Sequence, residues 1–172
     1  DTSRILELMT RRHGRVTLFA HGARRPKSPL RGVLQPFLPL LVSWTGRADG
    51  GTLTGAEIAG VVTTLPPPQL LSGFYLNELL LRLVPKEDRQ ERLYEAYASA
   101  LSQLGAETGN RALRVFEQVL LDELGYGLDL AREAGGGGIL QPDRYYHFEP
   151  GRGVLAVRDE AGEPEAFRGA DV

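Results

Sequence analysis

Arg11-Arg12-His13-Gly14-Arg15-Val16-Thr17-Leu18-Phe19-Ala20-His21-Gly22-Ala23-Arg24-Arg25-Pro26-Lys27-Ser28-Pro29-Leu30-Arg31 contains a turn, a strand and a basic loop in one short run. The His13-Gly14 turn leads into Val16, Leu18 and Ala20, whose alternation is that of a β-strand with one buried face. A loop rich in Arg and Lys follows. Basic residues therefore crowd both ends of a rigid strand, an arrangement from which nucleic-acid surfaces are built. Solvated loop charge is the alternative. The expectation is that these front-end cations gather into a single patch.

Outward from this stretch, Ile5, Leu6, Leu8 and Met9 form a short strand before it. Residues 33–44 form a long apolar segment interrupted by Pro36 and Pro39. Proline cannot donate to a sheet ladder, so both belong at a bulge or bend. Residues 45–51 make a hairpin loop and residues 52–58 a fourth strand. Short strands separated by Gly-rich turns predict a small β-barrel. A five-strand barrel needs one more strand, and little room follows Ile58, so that strand is expected to precede Asp1. A chain that begins at Asp1 rather than Met is expected to be a trimmed form.

Leu65-Pro66-Pro67-Pro68 marks a change of composition and divides the chain into an expected sheet domain, residues 1–64, and a helical domain, residues 65–172. Proline stops a sheet and is tolerated in a first helical turn. Leu70, Leu71, Phe74, Tyr75, Leu76, Leu79, Leu80 and Leu83 recur at helical spacing over residues 69–84, and Pro85 ends that helix. A second helix is expected over residues 87–104, with Leu93, Tyr94, Tyr97, Ala98, Leu101 and Leu104 inward. A third is expected to start at an Asn110 N-cap, with Leu113, Phe116, Val119, Leu120 and Leu124 inward, and to close at Gly125. Residues 145–148 and 154–157 flank a Pro-Gly turn as a hairpin. The tail from Glu160 is polar and acidic.

The 172 residues contain 42% hydrophobic residues, enough for a core, and no Cys, which excludes disulfides and thiolate zinc sites. No apolar run reaches membrane-spanning length. The net charge of −2 hides a split. Residues 1–60 carry nine Lys and Arg against four acids, and the remainder carries eleven against eighteen. Such asymmetry points to a polyanion partner for the front segment. Enzyme chemistry has little support. The three histidines are too scattered for a metal site, there is no Gly-x-Ser-x-Gly, and no P-loop Lys-Ser/Thr follows the Gly135–Gly138 run. Glu87, Asp88 and Glu91 are explained by a helix dipole. The expected class is non-enzymatic, without cofactor or metal.

Affinity for a polynucleotide would come from Arg11, Arg12, Arg15, His21, Arg24, Arg25, Lys27 and Arg31. Phe19, Phe37 and Trp44 are candidate stacking platforms; each is more often core. Among them Trp44, near a loop, has the best case for exposure. In the helical part Arg111 and Arg114 lie three apart and could grip a carboxylate at the end of a partner peptide. Pairing with Glu107 or Glu117 is the alternative.

Three stretches resemble one family. Residues 14–24 continued by Leu30-Arg31-Gly32-Val33-Leu34-Gln35-Pro36-Phe37, then Leu71-Ser72-Gly73-Phe74-Tyr75-Leu76-Asn77-Glu78-Leu79-Leu80, then Leu113-Arg114-Val115-Phe116-Glu117 with Leu121 and Leu124-Gly125-Tyr126-Gly127, are similar in order and spacing to the bacterial DNA repair protein RecO family. The resemblance implies an α+β multidomain protein, with an N-terminal OB-fold β-barrel and a mainly helical domain carrying a small hairpin. It implies a cytoplasmic, nucleoid-associated mediator of recombinational repair. Such proteins bind single- and double-stranded DNA, anneal complementary strands, and act with RecR, sometimes RecF, to place RecA on strands coated by single-strand-binding protein. The basic positions that match are Arg15, Arg24, Arg25, Lys27 and Arg31, whereas Thr17 and His21 stand where the family commonly has Lys or Arg. Arg114 matches a position that receives the acidic C-terminal tail of single-strand-binding protein. Some members carry a four-cysteine zinc site after the Leu124-Gly125 turn; the lack of Cys places this chain in the zinc-less branch. Members also begin with a further strand and continue with more helices, so both ends are expected to be missing here. The alternative function is an OB-fold interaction scaffold whose barrel mainly docks a partner such as RecR.

Overall fold

Alternation in the first two strands becomes an antiparallel hairpin. β1 (Arg4–Thr10) pairs with β2 (Gly14–Ala20) along the whole length of both, from Arg4 opposite Ala20 to Thr10 opposite Gly14. Val16, Leu18 and Ala20 are fully buried on one face. The computed structural model describes residues 2–62, 65–106, 108–127, 129–157 and 166–171. They form two compact units, Asp1–Gly125 and Tyr126–Val172. The protein is α+β: a four-stranded sheet, then a helical region.

In the first unit the strand order is β1-β2-β4-β3. β3 (Leu40–Thr45) and β4 (Asp49–Ile58) are antiparallel, and β2 and β4 run parallel at the centre. The segment expected to be one long strand is broken. Leu30–Val33 forms a single helical turn, α1, and β3 begins only at Leu40. Pro36 and Pro39 lie between them, outside the ladder, and Phe37 takes a left-handed backbone with φ of 67°. The following loop is shorter than residues 45–51, because β4 already starts at Asp49; Gly46, with φ of 87°, tightens the turn. Leu34, Ala23 and Leu53 complete the sheet core.

Helices α2 (Leu70–Leu83), α3 (Glu91–Gln103) and α4 (Gly109–Glu123) pack around Leu76, Leu80, Leu93, Ala100, Phe116 and Leu120. Met9 of β1 and Phe37 pack against this second core. Three sequence expectations need correction. α3 starts at Glu91 and not at residue 87, because residues 84–88 are drawn onto the sheet: the Glu87 N–H donates to the Arg15 carbonyl at 3.0 Å, and Glu87 is left-handed, with φ of 59°. Glu87 and Asp88 therefore lie outside the first helical turn. Ala100, not Ala98, faces inward. Asn110 lies inside α4, whose N-cap is Thr108, without a side-chain cap bond. Gly125 has φ of 80° and follows the helix as expected, with its N–H donating to the Asp122 carbonyl.

The second unit is a three-stranded sheet of order β6-β5-β7, from β5 (Tyr145–Glu149), β6 (Gly153–Ala156) and β7 (Phe167–Arg168). The β5–β6 hairpin is the expected one; β7, only two residues long, is too short to leave a sequence pattern. Leu140, Tyr146 and Val154 are its core. The Tyr146 hydroxyl accepts the Gln141 N–H at 3.0 Å. The glycine run folds back on itself, with the Glu133 N–H donating to the Gly138 carbonyl. The acidic tail falls largely on residues 158–165, outside the described residues.

The β1–β2 turn allows no side chain at Gly14. Its φ is 63°, and a Cβ there would lie 1.9 Å from the Asp88 carbonyl oxygen. Gly14→Ala is expected to cost about 3 kcal/mol or more, read as a lower urea midpoint with unchanged m-value.

Candidate nucleic-acid interface

The hairpin is a rod with cations at both tips. From Arg4 to Thr10 it advances about 20 Å, at roughly 3.4 Å per residue. Arg11, Arg12, His13 and Arg15 lie at the turn; His21, Arg24, Arg25, Lys27 and Arg31 follow the other end. The single patch expected from the sequence is therefore two groups on opposite ends of the sheet. The physical reason is the register itself: antiparallel pairing with a tight turn sends the two ends of β2 apart.

The cations at the turn are largely engaged with the helical region. Arg15 donates from Nη1 to Glu7 at 3.0 Å and from Nε to the Val84 carbonyl at 3.1 Å, and its side chain is only 14% exposed. Arg11 pairs with Glu95 at 3.2 Å and lies over the Tyr94 ring. Arg12 is exposed. Arg89 beside Glu91, with Arg11 and Arg12 at longer range, holds the Glu91 carboxyl below its ordinary range. His13 meets Trp44 edge-on, with ring centroids 5.2 Å apart. Lys86 and Asp49, which sequence reasoning missed, pair at 2.7 Å nearby, and that bond lowers the Asp49 carboxyl below its usual range. The signal for both is the chain entering β4 and leaving α2 at this corner, which no local pattern reveals.

The other end is different. The loop after β2 is wound by successive turns: Arg25 N–H to the Gly22 carbonyl, Ser28 N–H to Arg25, Arg31 N–H to Ser28. Gly22 takes φ of 68°, Ala23 is fully buried as the anchor, and the Arg24 N–H donates to the Thr2 carbonyl. The Arg24, Arg25, Lys27 and Arg31 side chains are exposed, and none forms an ion pair among the described residues. His21 is exposed and contacts Ser3 Oγ through Nδ1 at 3.3 Å. Three long cations on one short, braced loop, with Arg31 in the α1 turn that follows, are what a phosphate chain can neutralise.

Of the candidate platforms, Phe37 is used internally: its ring packs on Phe74 and over Gly73. Trp44 is half-buried against the sheet core and His13. Phe19 is 37% exposed. In the helical region Arg111 and Arg114 part company. Arg111 lines a cavity of about 170 Å³ between α3 and α4, with Ala96, Ala100, Ala112 and Val115. Arg114 pairs with Glu117, which also accepts the Tyr75 hydroxyl at 2.7 Å and raises that hydroxyl above its ordinary range. Among the described residues, no three His, Cys, Asp or Glu side chains form a metal-binding group.

A mixed four-stranded sheet with cations at its ends, leading into three packed helices and then a small antiparallel sheet, defines a class of two-part α+β proteins. Two family models match: recombination protein O N-terminal over residues 1–62 and recombination protein O C-terminal over residues 67–170. The chain is 48% identical over 174 aligned residues to a DNA repair protein RecO of Thiobacillus denitrificans, covering 95% of this chain and 68% of that protein. It is 47% identical to one of Burkholderia lata, with 93% and 58% covered, and 46% identical to one of Methylococcus capsulatus, with 94% and 67% covered. The chain belongs to the RecO family, and it spans between 58% and 68% of the length of these three relatives.

The two groups of cations should separate in stability measurements. Arg15→Ala removes the ion pair of Glu7, which keeps only the Thr17 hydroxyl, and the side-chain donor to the Val84 carbonyl, and is expected to cost about 2 kcal/mol. The Arg24→Ala, Arg25→Ala, Lys27→Ala triple variant is expected to stay within about 0.5 kcal/mol of the parent. Urea midpoints check both.

Proposed function

We propose that this protein acts in DNA repair as a recombination mediator that binds single- and double-stranded DNA through the loop after β2. The observation that carries this reading is the set of four exposed cations without an ion pair among the described residues, Arg24, Arg25 and Lys27 on a braced loop and Arg31 in the α1 turn that follows it, at one end of the sheet. Membership of a family whose curated relatives are named DNA repair proteins supports it. Cations that are not neutralised by the protein's own carboxylates release counterions from DNA at little cost. Arg15 serves instead to hold the sheet to the helices, and Arg11 is shared with Glu95.

In the same proposal residues 1–64 are the DNA-binding domain and belong to an OB-type barrel. Support comes from the parallel β2–β4 pair flanked by two antiparallel pairs, and from the two edges, β1 and β3, that a further strand would join. Residues 65–172 form the helical partner-binding domain. The proposed activity is annealing of complementary strands and, with RecR and in some settings RecF, assistance in placing RecA on strands coated by single-strand-binding protein. The proposed receiver of that protein's acidic tail is the helical region around Arg111 and Arg114. Arg111 beside a cavity lined by Ala96, Ala100 and Val115 together with Ser99, Gln103 and Thr108 suits a terminal carboxylate. The proposed setting is cytoplasmic, at the nucleoid; no helix among the described residues is long and apolar enough to cross a membrane. No catalytic step or cofactor is invoked.

Binding at stepped salt tests this. The parent should lose affinity steeply as salt rises, for single strands and duplexes alike. The Arg24→Ala, Arg25→Ala, Lys27→Ala variant should weaken binding at all sequences and reduce the log–log salt slope by about two to three. Binding indifferent to salt, or a triple variant that loses RecR and keeps its DNA affinity, would favour an interaction scaffold.

A further inference from the structure

We propose that Phe19 is a stacking platform for an unpaired base, so that the loop after β2 and the adjoining outer face of the hairpin form one single-strand site. The proposal rests on the nucleic-acid reading given above and names the surface that would favour single strands.

Register fixes which residues share this face. Opposed pairs on the side away from the sheet core are Ile5 with Phe19, Glu7 with Thr17, and Met9 with Arg15. Toward the turn this row is covered. Met9 packs against the helical core, Arg15 is held by Glu7 and Val84, and Thr17 is only 7% exposed and donates to Glu7 at 2.8 Å. Toward the basic loop the row is open. Ile5 is 67% exposed and Phe19 37%. The backbone of Gly50 lies beside the Phe19 ring, close enough that a Cβ there would touch it at 3.8 Å, and Thr52 is its partner on β4. Thus an aromatic ring and an aliphatic neighbour remain in water, next to exposed Glu7, where Met9, Arg15 and Thr17 are wholly or partly covered.

Two features select a base as the occupant. First, Phe19 precedes the cationic loop by a few residues on the same strand, so a strand whose phosphates meet Arg24, Arg25 and Lys27 passes its bases near the ring. Second, the acids nearest the ring are already engaged: Glu7 pairs with Arg15 and accepts the Thr17 hydroxyl, and Asp49 pairs with Lys86. On the hairpin itself a phosphate chain therefore meets no carboxylate without a partner, while Glu57 of β4 is exposed. Base–aromatic stacking tolerates any sequence, and a duplex, whose bases are already stacked, cannot use it. The other aromatic candidates, Phe37 before β3 and Trp44 on it, are occupied by Phe74 and His13.

The test uses the full chain and dye-labelled oligonucleotides: a single strand of thymidines, its abasic counterpart, and a blunt duplex. Phe19→Leu keeps an apolar contact with Ile5 and removes the aromatic face. Expected is a loss of about tenfold for the thymidine strand, with duplex affinity within twofold and the salt slope unchanged. Parent and variant should bind the abasic strand alike. Trp44 is the sole tryptophan, so a Phe19→Trp, Trp44→Phe double variant should restore single-strand affinity and show emission quenched by the thymidine strand. Unchanged thymidine-strand affinity in Phe19→Leu overturns the proposal, as does an equal loss for strand and duplex, which would make the ring a support for the loop. If the parent shows no salt-dependent binding at all, the nucleic-acid reading fails and the platform with it. If the parent binds and Phe19→Leu binds equally well, only the platform fails.

Discussion

The Arg15 guanidinium lies between the Glu7 carboxylate on the neighbouring strand and the Val84 carbonyl at the end of α2. Around it the chain after α2 is stitched to the sheet: Glu87 N–H donates to the Arg15 carbonyl, Lys86 reaches Asp49, and Asp88 passes directly over Gly14. A guanidinium with two fixed acceptors in a half-dry site is directional, because its donors lie in one plane. These contacts tie the sheet to the start of the segment that leads into α3. They also explain why one end of the hairpin's outer face is buried and the other is not. The fold thereby decides which arginines remain available to a partner.

Charge in this protein is consequently not a property of the first sixty residues as a whole. Net positive charge there is real, but part of it is consumed in joining the sheet to acidic helices. The remainder stands on a loop held by its own turns and by buried Ala23. A loop braced in this way loses little conformational freedom when its side chains meet phosphates. The helical region shows the same division: Arg114 is balanced by Glu117, while Arg111 borders a cavity.

Much of the fold was legible in the sequence because period and punctuation are local. Alternation at Val16, Leu18 and Ala20 marked β2, and the leucine spacing up to Pro85 marked α2 within a residue or two. What stayed hidden depends on residues far apart. Nothing near Glu87 announces that it will pair with Arg15 rather than start a helix, and Asn110 looks like a cap until Thr108 takes that place. The list of basic residues at the candidate interface was legible, but its division was not. Arg15 and Arg24 look alike in a row of letters; only register and the course of residues 84–88 place them on opposite tips. Likewise Trp44 seemed the better platform than Phe19 until the hairpin turn brought His13 against it.

Hydrogen–deuterium exchange of the full chain, with and without a single-stranded oligonucleotide, tests the central claim most directly. The amides of Arg25, Ser28 and Arg31 are held by loop hydrogen bonds, so a bound strand that rigidifies the loop slows their exchange. The account predicts added protection across residues 20–34 and none at the 10–14 turn or in α3. Protection centred on the turn, with the loop after β2 unchanged, would contradict it.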